Sequence, residues 1–230
     1  MPNRNSLDPW QLLSDRLTPG RRDKMLEVAK NRTNYISLIV QDVHNPHNVS
    51  ACMRSAEAFG VLNIHTVQLK NAFKASTVAR GVGHWLNIHT YSDIKSCAES
   101  LKSQGYLIAA GMPPQEGVLP LQELPLKNPI AVLFGNEHEG VSPEWEKYCD
   151  LRFTIPMRGM VESLNISVSA AITLQNLTQR ALSDVNIGSY HLNQGEQRSL
   201  LNGWIRQQIP SWQQECERLT TNPPDGFMKP

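Results

Sequence analysis

The spacing of hydrophobic and polar positions along this chain predicts strands that alternate with helices. Apolar runs typical of buried strands occupy residues 36–40, 64–69, 106–110, 130–134 and 151–155. Helices are predicted over residues 48–59 and 93–103, which end at Gly60 and Gly105, and a longer one carries an apolar face from Ile166 to Ala181. This alternation favours an α/β fold with a Rossmann-like parallel sheet.

Helical extensions are predicted before and after the α/β region in the sequence. Thr18 and Pro19 are typical of a helix N-cap and first helical residue, and Met25 and Ala29 lie on a short apolar stripe. A second stripe near the other end includes Leu200, Leu201, Trp204 and Ile205, after a polar opening at residues 186–189. The predicted organisation is an N-terminal extension at residues 1–33, an α/β domain at 34–182 and a C-terminal helical extension at 183–230.

Composition is that of an ordinary cytoplasmic protein. With 230 residues, of which 40% are hydrophobic and 19% charged, the chain can bury one sizeable core. No apolar run is long enough to span a bilayer, and the first residues lack the apolar core of a signal peptide, so we expect no membrane association. The four cysteines stand far apart without metal-ligand spacing, so we expect reduced thiols and no bound metal.

Basic residues are concentrated near the start. The net charge is +1, but residues 16–32 hold six basic and two acidic side chains, a local charge of +4. Charge alone leaves two interpretations open, a solvated helix face or a surface that binds nucleic-acid phosphates.

Common enzyme motifs are missing from the expected places. The first predicted strand is followed by Gln-Asp-Val-His-Asn-Pro at residues 41–46 instead of a Gly-x-Gly-x-x-Gly turn, which excludes a Rossmann dehydrogenase. Neither a P-loop nor a Gly-x-Ser-x-Gly elbow is present. His44 and His47 flank Pro46, where a loop-capping role is favoured over metal binding.

Three segments carry the functional information: residues 48–60, 131–142 and 155–171. In the third, a strand ends in a loop and a helix follows, with Ser163 and Asn165 placed to offer side-chain oxygens to the free N–H groups of that helix. Free backbone amides at the carboxyl end of a strand are typical of ligand-binding loops.

Together and in this order, these segments resemble the SPOUT class of RNA methyltransferases, and within it the SpoU-type ribose 2′-O-methyltransferases. The similarity covers residues 21–212, and the runs at 43–48 and 159–165 resemble the tRNA guanosine-2′-O-methyltransferase branch most, while His138, Arg158 and Glu162 depart from the pattern. The resemblance implies a C-terminal trefoil knot, a homodimer, S-adenosyl-L-methionine as methyl donor, and a tRNA D-loop guanosine as substrate. It implies no other protein partner.

The resemblance also assigns roles to residues of this chain. Catalytic roles are implied for Asn48, Arg54, Glu137, Ser163 and Asn165. Cofactor contacts are implied for Ala110, Gly135, Ile155, Met157, Gly159 and Leu164. It also favours phosphate binding as the explanation of the basic segment, with Arg21, Arg22, Lys24, Lys30 and Arg32 as candidate RNA contacts.

Several alternatives stay open at this point. Arg54 is either a general base assisted by a substrate phosphate or a charged group that stabilises the developing alkoxide, and a guanidinium holds its proton above about pH 12. Asn48 is either a site residue or a helix N-cap, and Glu137 either orients Arg54 or the ribose or caps the helix near 142–143. For function, the alternatives are a ribosomal RNA methyltransferase of the same class and a catalytically silent RNA-binding protein.

Overall fold

The computed structural model describes residues 8–70, 81–184 and 190–221. The described strands are β1 Thr33–Gln41, β2 Val61–Val67, β3 Asn87–Tyr91, β4 Leu107–Gly111, β5 Leu119–Pro120, β6 Ile130–Phe134 and β7 Leu151–Thr154. They form one parallel sheet in the order β3-β2-β1-β6-β4-β7-β5. The predicted parallel α/β sheet is therefore confirmed. The predicted polar opening at 186–189 lies outside the described residues.

The described α-helices are α1 Pro9–Leu13, α2 Pro19–Lys30, α3 Pro46–Ala58, α4 Ile94–Ser103, α5 Ile166–Ser183, α6 Gln194–Gln208 and α7 Trp212–Thr221. Asp93 caps α4 by accepting a hydrogen bond from the Ser96 amide at 2.7 Å. Gly60 and Gly105, which follow α3 and α4, adopt positive φ of 78° and 82°, as helix-terminating glycines commonly do.

Apolar side chains cover both faces of the sheet, because neighbouring residues of a strand point to opposite sides. In β1, Leu38 and Val40 pack with α3 and α5, whereas Ile39 packs on the other face with α4. Trp145, fully buried in the short 3-10 helix Pro143–Lys147, fills the α4 side. Helices thus cover both faces of the sheet, and its polar groups are accessible at the ends of the strands.

The described chain divides into two compact units. Residues 33–184 with 190–191 form one unit, and residues 8–32 with 192–221 form the other. In the second unit, α1 buries Trp10 and Leu13 and packs against α6 and α7. The two helical extensions, which the sequence predicts as separate elements, therefore share one unit that is built from both ends of the described chain.

Burial keeps cysteine thiols of this chain in the protonated form. Cys52, Cys97 and Cys216 are buried, Cys149 is half-buried, and all four are free thiols. Burial raises the pKa of Cys52 and of Cys97 to about 12, so both stay protonated at neutral pH. None of the helices in the described ranges combines the length and apolar character that a membrane span requires.

Candidate active site

The carboxyl ends of β1, β6 and β7 lie at one edge of the sheet, since the three strands are parallel. At this edge, Asn48 Nδ2 donates a hydrogen bond to Glu137 Oε1 at 2.7 Å. Asn165 Nδ2 donates to Asn48 Oδ1 at 3.3 Å. One residue from each of the three sequence segments therefore joins a single network.

Asn165 is held in place because it is also the N-cap of α5. Its Oδ1 accepts hydrogen bonds from the Ser167 amide at 2.8 Å and from the Ser167 hydroxyl at 2.6 Å. With Oδ1 engaged in this way, Nδ2 is left to face Asn48. Of the two residues predicted to cap this helix, Asn165 is the N-cap. Ser163 is exposed and does not cap the helix.

A tightly closed loop presents Glu137. Asn136 and Gly140 exchange backbone hydrogen bonds of 3.0 and 3.1 Å, and Asn136 Oδ1 accepts from the amides of His138 and Glu139. Gly135 opens the loop, and a Cβ at this position would lie 1.9 Å from the Gly140 carbonyl oxygen. The sequence needs glycine at 135 because two backbone segments meet there.

Hydrogen bonding keeps Glu137 ionised. Partial burial raises the pKa of its carboxyl, but hydrogen bonds from Asn48, from its own backbone amide and from the His44 amide, together with the charge of His44, outweigh burial and lower it. The His44 amide donates to Glu137 Oε2 at 3.2 Å. Glu137 is therefore an acceptor at neutral pH, and it orients Asn48 and the turn before α3.

The start of α3 settles one alternative. Asn45 is the N-cap, with Oδ1 accepting from the His47 amide at 2.9 Å, and Pro46 is the first helical residue. Asn48 is thus not the cap of this helix. The cap alternative for Glu137 is also removed, because Ser142 itself caps the 3-10 helix that follows.

Arg54 lies further along the same helix and is exposed. It lies six positions after Asn48, a rise of about 9 Å along an α-helix. Among the described hydrogen bonds and ion pairs, none connects Arg54 to Asn48, Glu137 or Asn165. The structure therefore joins three of the five predicted catalytic residues in one hydrogen-bonded network, and leaves the exposed Arg54 outside it.

Comparison with known proteins decides the family. A model of the SpoU rRNA Methylase family matches residues 35–175. The chain belongs to this family. The sequence resemblance is confirmed, and the matched region contains the whole Asn48–Glu137–Asn165 network.

Curated relatives of this SpoU methylase align along most of its length. It is 32% identical over 204 residues to the tRNA (guanosine(18)-2'-O)-methyltransferase of Borreliella burgdorferi, covering 88% of this chain and 92% of the relative. It is 31% identical to the enzyme of the same name from Escherichia coli K12, covering 80% and 82% of the two chains.

A solved structure supports the same fold. The A. aeolicus TrmH/SpoU tRNA modifying enzyme superposes with a TM-score of 0.72 at 26% identity, covering 83% of this chain and 97% of that one.

The predicted cofactor residues of this SpoU methylase lie around three neighbouring strand ends. Ala110 is near the carboxyl end of β4, Gly135 follows β6 directly, and Ile155 follows β7 directly. In the loop after β7, Met157 and Leu164 are half-buried, whereas Gly159 is exposed. These positions combine apolar side chains with accessible main chain, the mixture that suits a purine ring.

The predicted RNA contacts of this SpoU methylase are mostly accessible. Arg21, Lys24 and Lys30 are exposed on α2, and Arg22 is half-exposed. Arg32 is a correction to the predicted set. Its side chain is fully buried and its guanidinium carbon lies 5.8 Å from the centre of the Trp204 ring, so it packs inside the unit and does not reach an RNA phosphate.

Two features of the site were not predicted from the sequence. His44 contributes through its backbone amide to Glu137, and the His44 and His138 rings lie 5.6 Å apart between centroids. A backbone donor leaves no trace in residue type, so the first could not have been found by motif. Within the described ranges, no group of three or more His, Cys, Asp or Glu side chains is arranged to hold a metal ion.

Proposed function

We propose that this SpoU methylase is an S-adenosylmethionine-dependent tRNA guanosine-2′-O-methyltransferase that modifies a D-loop guanosine in the cytoplasm. The observation that carries the proposal is the network of Asn48, Glu137 and Asn165 at the carboxyl edge of the sheet. It lies in a chain that aligns with tRNA (guanosine(18)-2'-O)-methyltransferases along more than three quarters of its length.

The loop after β7 fits the methyl donor. Ile155, Met157 and Leu164 supply half-buried apolar side chains. Among the described residues, none beyond the two chain neighbours has an atom within 4 Å of a Cβ built on Gly159. A ligand can therefore approach the Gly159 backbone closely. When bound, S-adenosylmethionine supplies a methyl group already activated by its sulfonium. The trefoil knot implied by the resemblance is part of this proposal, as the arrangement that holds the loop.

Transfer then depends on alignment and electrostatics from the protein. Asn165 and Glu137 orient the two ends of the Asn48 amide, so Asn48 is preorganised at the site. We assign Arg54 to substrate binding: its guanidinium binds an RNA phosphate and stabilises the negative charge that develops on the ribose 2′-oxygen as the hydroxyl proton passes to water. Ser163 is exposed in the loop after β7, and we assign it a contact with the ribose.

Binding and transfer assays separate the competing functions. Calorimetry with S-adenosylmethionine is expected to show one site, and a labelled methyl group is expected to reach unmodified tRNA in preference to ribosomal RNA. Absence of cofactor binding would identify a silent RNA-binding protein. Transfer to ribosomal RNA alone would assign the ribosomal alternative.

A homodimer is the second part of the proposal. Met160 and Val161 in the loop after β7 are 102% and 63% exposed, and Val168 and Ile172 on α5 are exposed too. Val168 and Ile172 are four residues apart and share one face of the helix. Exposed apolar side chains that share a helix face directly after the catalytic Asn165 are typical of a protein interface.

Light scattering tests the homodimer. The expected mass is twice 25.8 kDa. The double substitution Val168→Asp and Ile172→Asp is expected to shift the protein toward the monomer mass, because two charges would have to be buried at the interface. Leu182→Asp, at the far end of the same helix, is the control and should leave the mass unchanged. A fully active wild-type monomer would rule out the interface.

A tRNA-binding surface on α2 is the third part. Arg22 pairs with Asp15 at 2.6 Å and Lys24 pairs with Glu27 at 3.0 Å. Exposed ion pairs are weak, so an RNA phosphate can replace these carboxylates as the partner of Arg22 and Lys24. Deleting residues 1–30 would also remove the buried Trp10 and Leu13, so charge reversal is the cleaner change.

Replacement of Arg21 or Lys30 with Glu is expected to weaken tRNA binding and to lower the slope of log affinity against log salt by about one for each phosphate that the protein no longer neutralises. Filter binding across a salt series measures both quantities. Lys95→Glu, on the exposed surface of α4, is the control. Equal affinities and slopes for all proteins would place the tRNA-binding surface elsewhere.

A further inference from the structure

Two consecutive polar residues are buried at the carboxyl end of β1. Gln41 is 4% exposed and Asp42 is 2% exposed, at the point where the chain turns toward His44 and Asn48. Buried polar side chains are retained where they make hydrogen bonds. Here they bond in opposite directions, to the loops that follow the two strands flanking β1.

Asp42 fixes the exit of β2. Its Oδ1 accepts hydrogen bonds from the amides of Leu69 at 2.8 Å and Lys70 at 2.9 Å, and its own amide donates to the Val67 carbonyl at 2.8 Å. Asp42 is also the one non-glycine residue in the described ranges with a positive φ, 50°. Residues with a Cβ rarely adopt this left-handed conformation, so the surrounding hydrogen bonds maintain it.

Gln41 fixes the loop on the other side. Its Oε1 accepts from the Ser142 amide at 3.0 Å, where the loop that carries Glu137 ends. The Lys70 ammonium meets the Glu139 carboxylate at 2.9 and 3.0 Å and connects the two loops. That ion pair is well exposed and contributes little in water, so the hydrogen bonds of the buried Gln41 and Asp42 are the main link between the two loops.

We propose that Gln41 and Asp42 are positioning residues for methyl transfer, an inference that rests on the proposed function. Gln41 binds the Ser142 amide at the end of the loop that carries Glu137, and the exchanged backbone hydrogen bonds of Asn136 and Gly140 close the same loop around Glu137. Asp42 sets the direction of the turn whose His44 amide donates to Glu137. Together they place Glu137 from both sides and, through Glu137, place Asn48, without touching substrate themselves.

Pairs of substitutions separate hydrogen bonding from backbone conformation. Asp42→Asn keeps an oxygen acceptor and tolerates positive φ, whereas Asp42→Gly tolerates positive φ but removes the acceptor. Gln41→Met removes the acceptor at similar size, and Gln41→Asn keeps an amide oxygen on a shorter side chain without adding a buried charge. Ser37→Ala is the matched control, because Ser37 is a buried polar residue of the same strand that bonds to Asn63.

Steady-state kinetics are the first readout. Asp42→Gly and Gln41→Met are expected to lower kcat about tenfold to a hundredfold, since a displacement of about 1 Å costs that much, with S-adenosylmethionine affinity and KM for tRNA nearly unchanged. Asp42→Asn is expected to recover most of the rate, Gln41→Asn part of it, and Ser37→Ala to match wild type. Equal losses in all five variants, or unchanged kcat in Asp42→Gly and Gln41→Met, would overturn the inference.

Amide hydrogen exchange is the second readout, and it does not depend on activity. Asp42→Gly is expected to expose the amides of residues 69–70, and Gln41→Met that of Ser142, with protection also falling in 43–48 and 136–138. Unchanged exchange in 43–48 and 136–138 would overturn the positioning role. A wild-type protein without methyl transfer would instead refute the proposed function, and the exchange data would still decide the role of Gln41 and Asp42.

Discussion

Arg54→Ala is expected to lower kcat for methyl transfer by about 10²- to 10³-fold, the usual cost of removing one preorganised charge-stabilising donor. Arg54 is exposed on α3, and it lies outside the Asn48–Glu137–Asn165 network and outside the loop after β7. S-adenosylmethionine affinity, measured by calorimetry, should therefore stay within about twofold of wild type, because ground-state cofactor binding does not use this side chain.

Two further variants sharpen this test. Arg54→Lys keeps the charge but loses the bidentate geometry for phosphate, so it should recover little of the rate. Arg152→Ala, at an exposed arginine that pairs with Glu146 at 3.5 Å, is the control and should turn over like wild type. Full activity in Arg54→Lys would contradict a phosphate-binding role, and full activity in Arg54→Ala would remove Arg54 from the site.

Gly135→Ala is expected to damage both stability and activity. The added Cβ would lie 1.9 Å from the oxygen and 2.0 Å from the carbon of the Gly140 carbonyl, and neither is the flexible end of a side chain. Forcing the loop open should cost about 1–3 kcal/mol, which lowers Tm by about 2–12 °C in a domain of this size. Because Glu137 moves with the loop, kcat should fall about a hundredfold.

Gly203→Ala provides the matched control for this substitution. Gly203 lies within α6, and outside its own helix backbone no atom of the described residues lies within 4 Å of its added Cβ. Alanine should stabilise that helix by about 0.5–1 kcal/mol. Thermal unfolding compares the two variants, and a Gly135→Ala protein as stable and active as wild type would show that the tight closure at Gly140 is not required.

Much of the fold could be predicted because hydrophobic spacing reflects burial directly. The central strands β1, β6 and β4 and the helix α5 carry apolar runs that a buried element explains. β3 was missed because it lies at the edge of the sheet, and its sequence Asn-Ile-His-Thr-Tyr is mostly exposed. α1 was missed because five residues are too few to show a helical period.

The site was harder to predict than the fold, because its contacts join distant parts of the chain. Asn48 and Glu137 stand 89 positions apart, and the resemblance named both without indicating that they bond to each other. Arg32 was predicted to contact RNA, and this prediction was wrong. It stands in a basic run, but a local charge count cannot show that Trp204 covers it after folding.

Mapping of ribose methylation in tRNA tests the proposed function most directly. Total tRNA from cells that lack the protein is compared with the same tRNA after incubation with purified protein and S-adenosylmethionine. We expect that one D-loop guanosine lacks its 2′-O-methyl group in the first sample and carries it in the second, and that Arg54→Ala does not restore it. Methylation of that guanosine in cells without the protein, or a methyl group placed by the protein on a base or on another RNA, would contradict the proposed function.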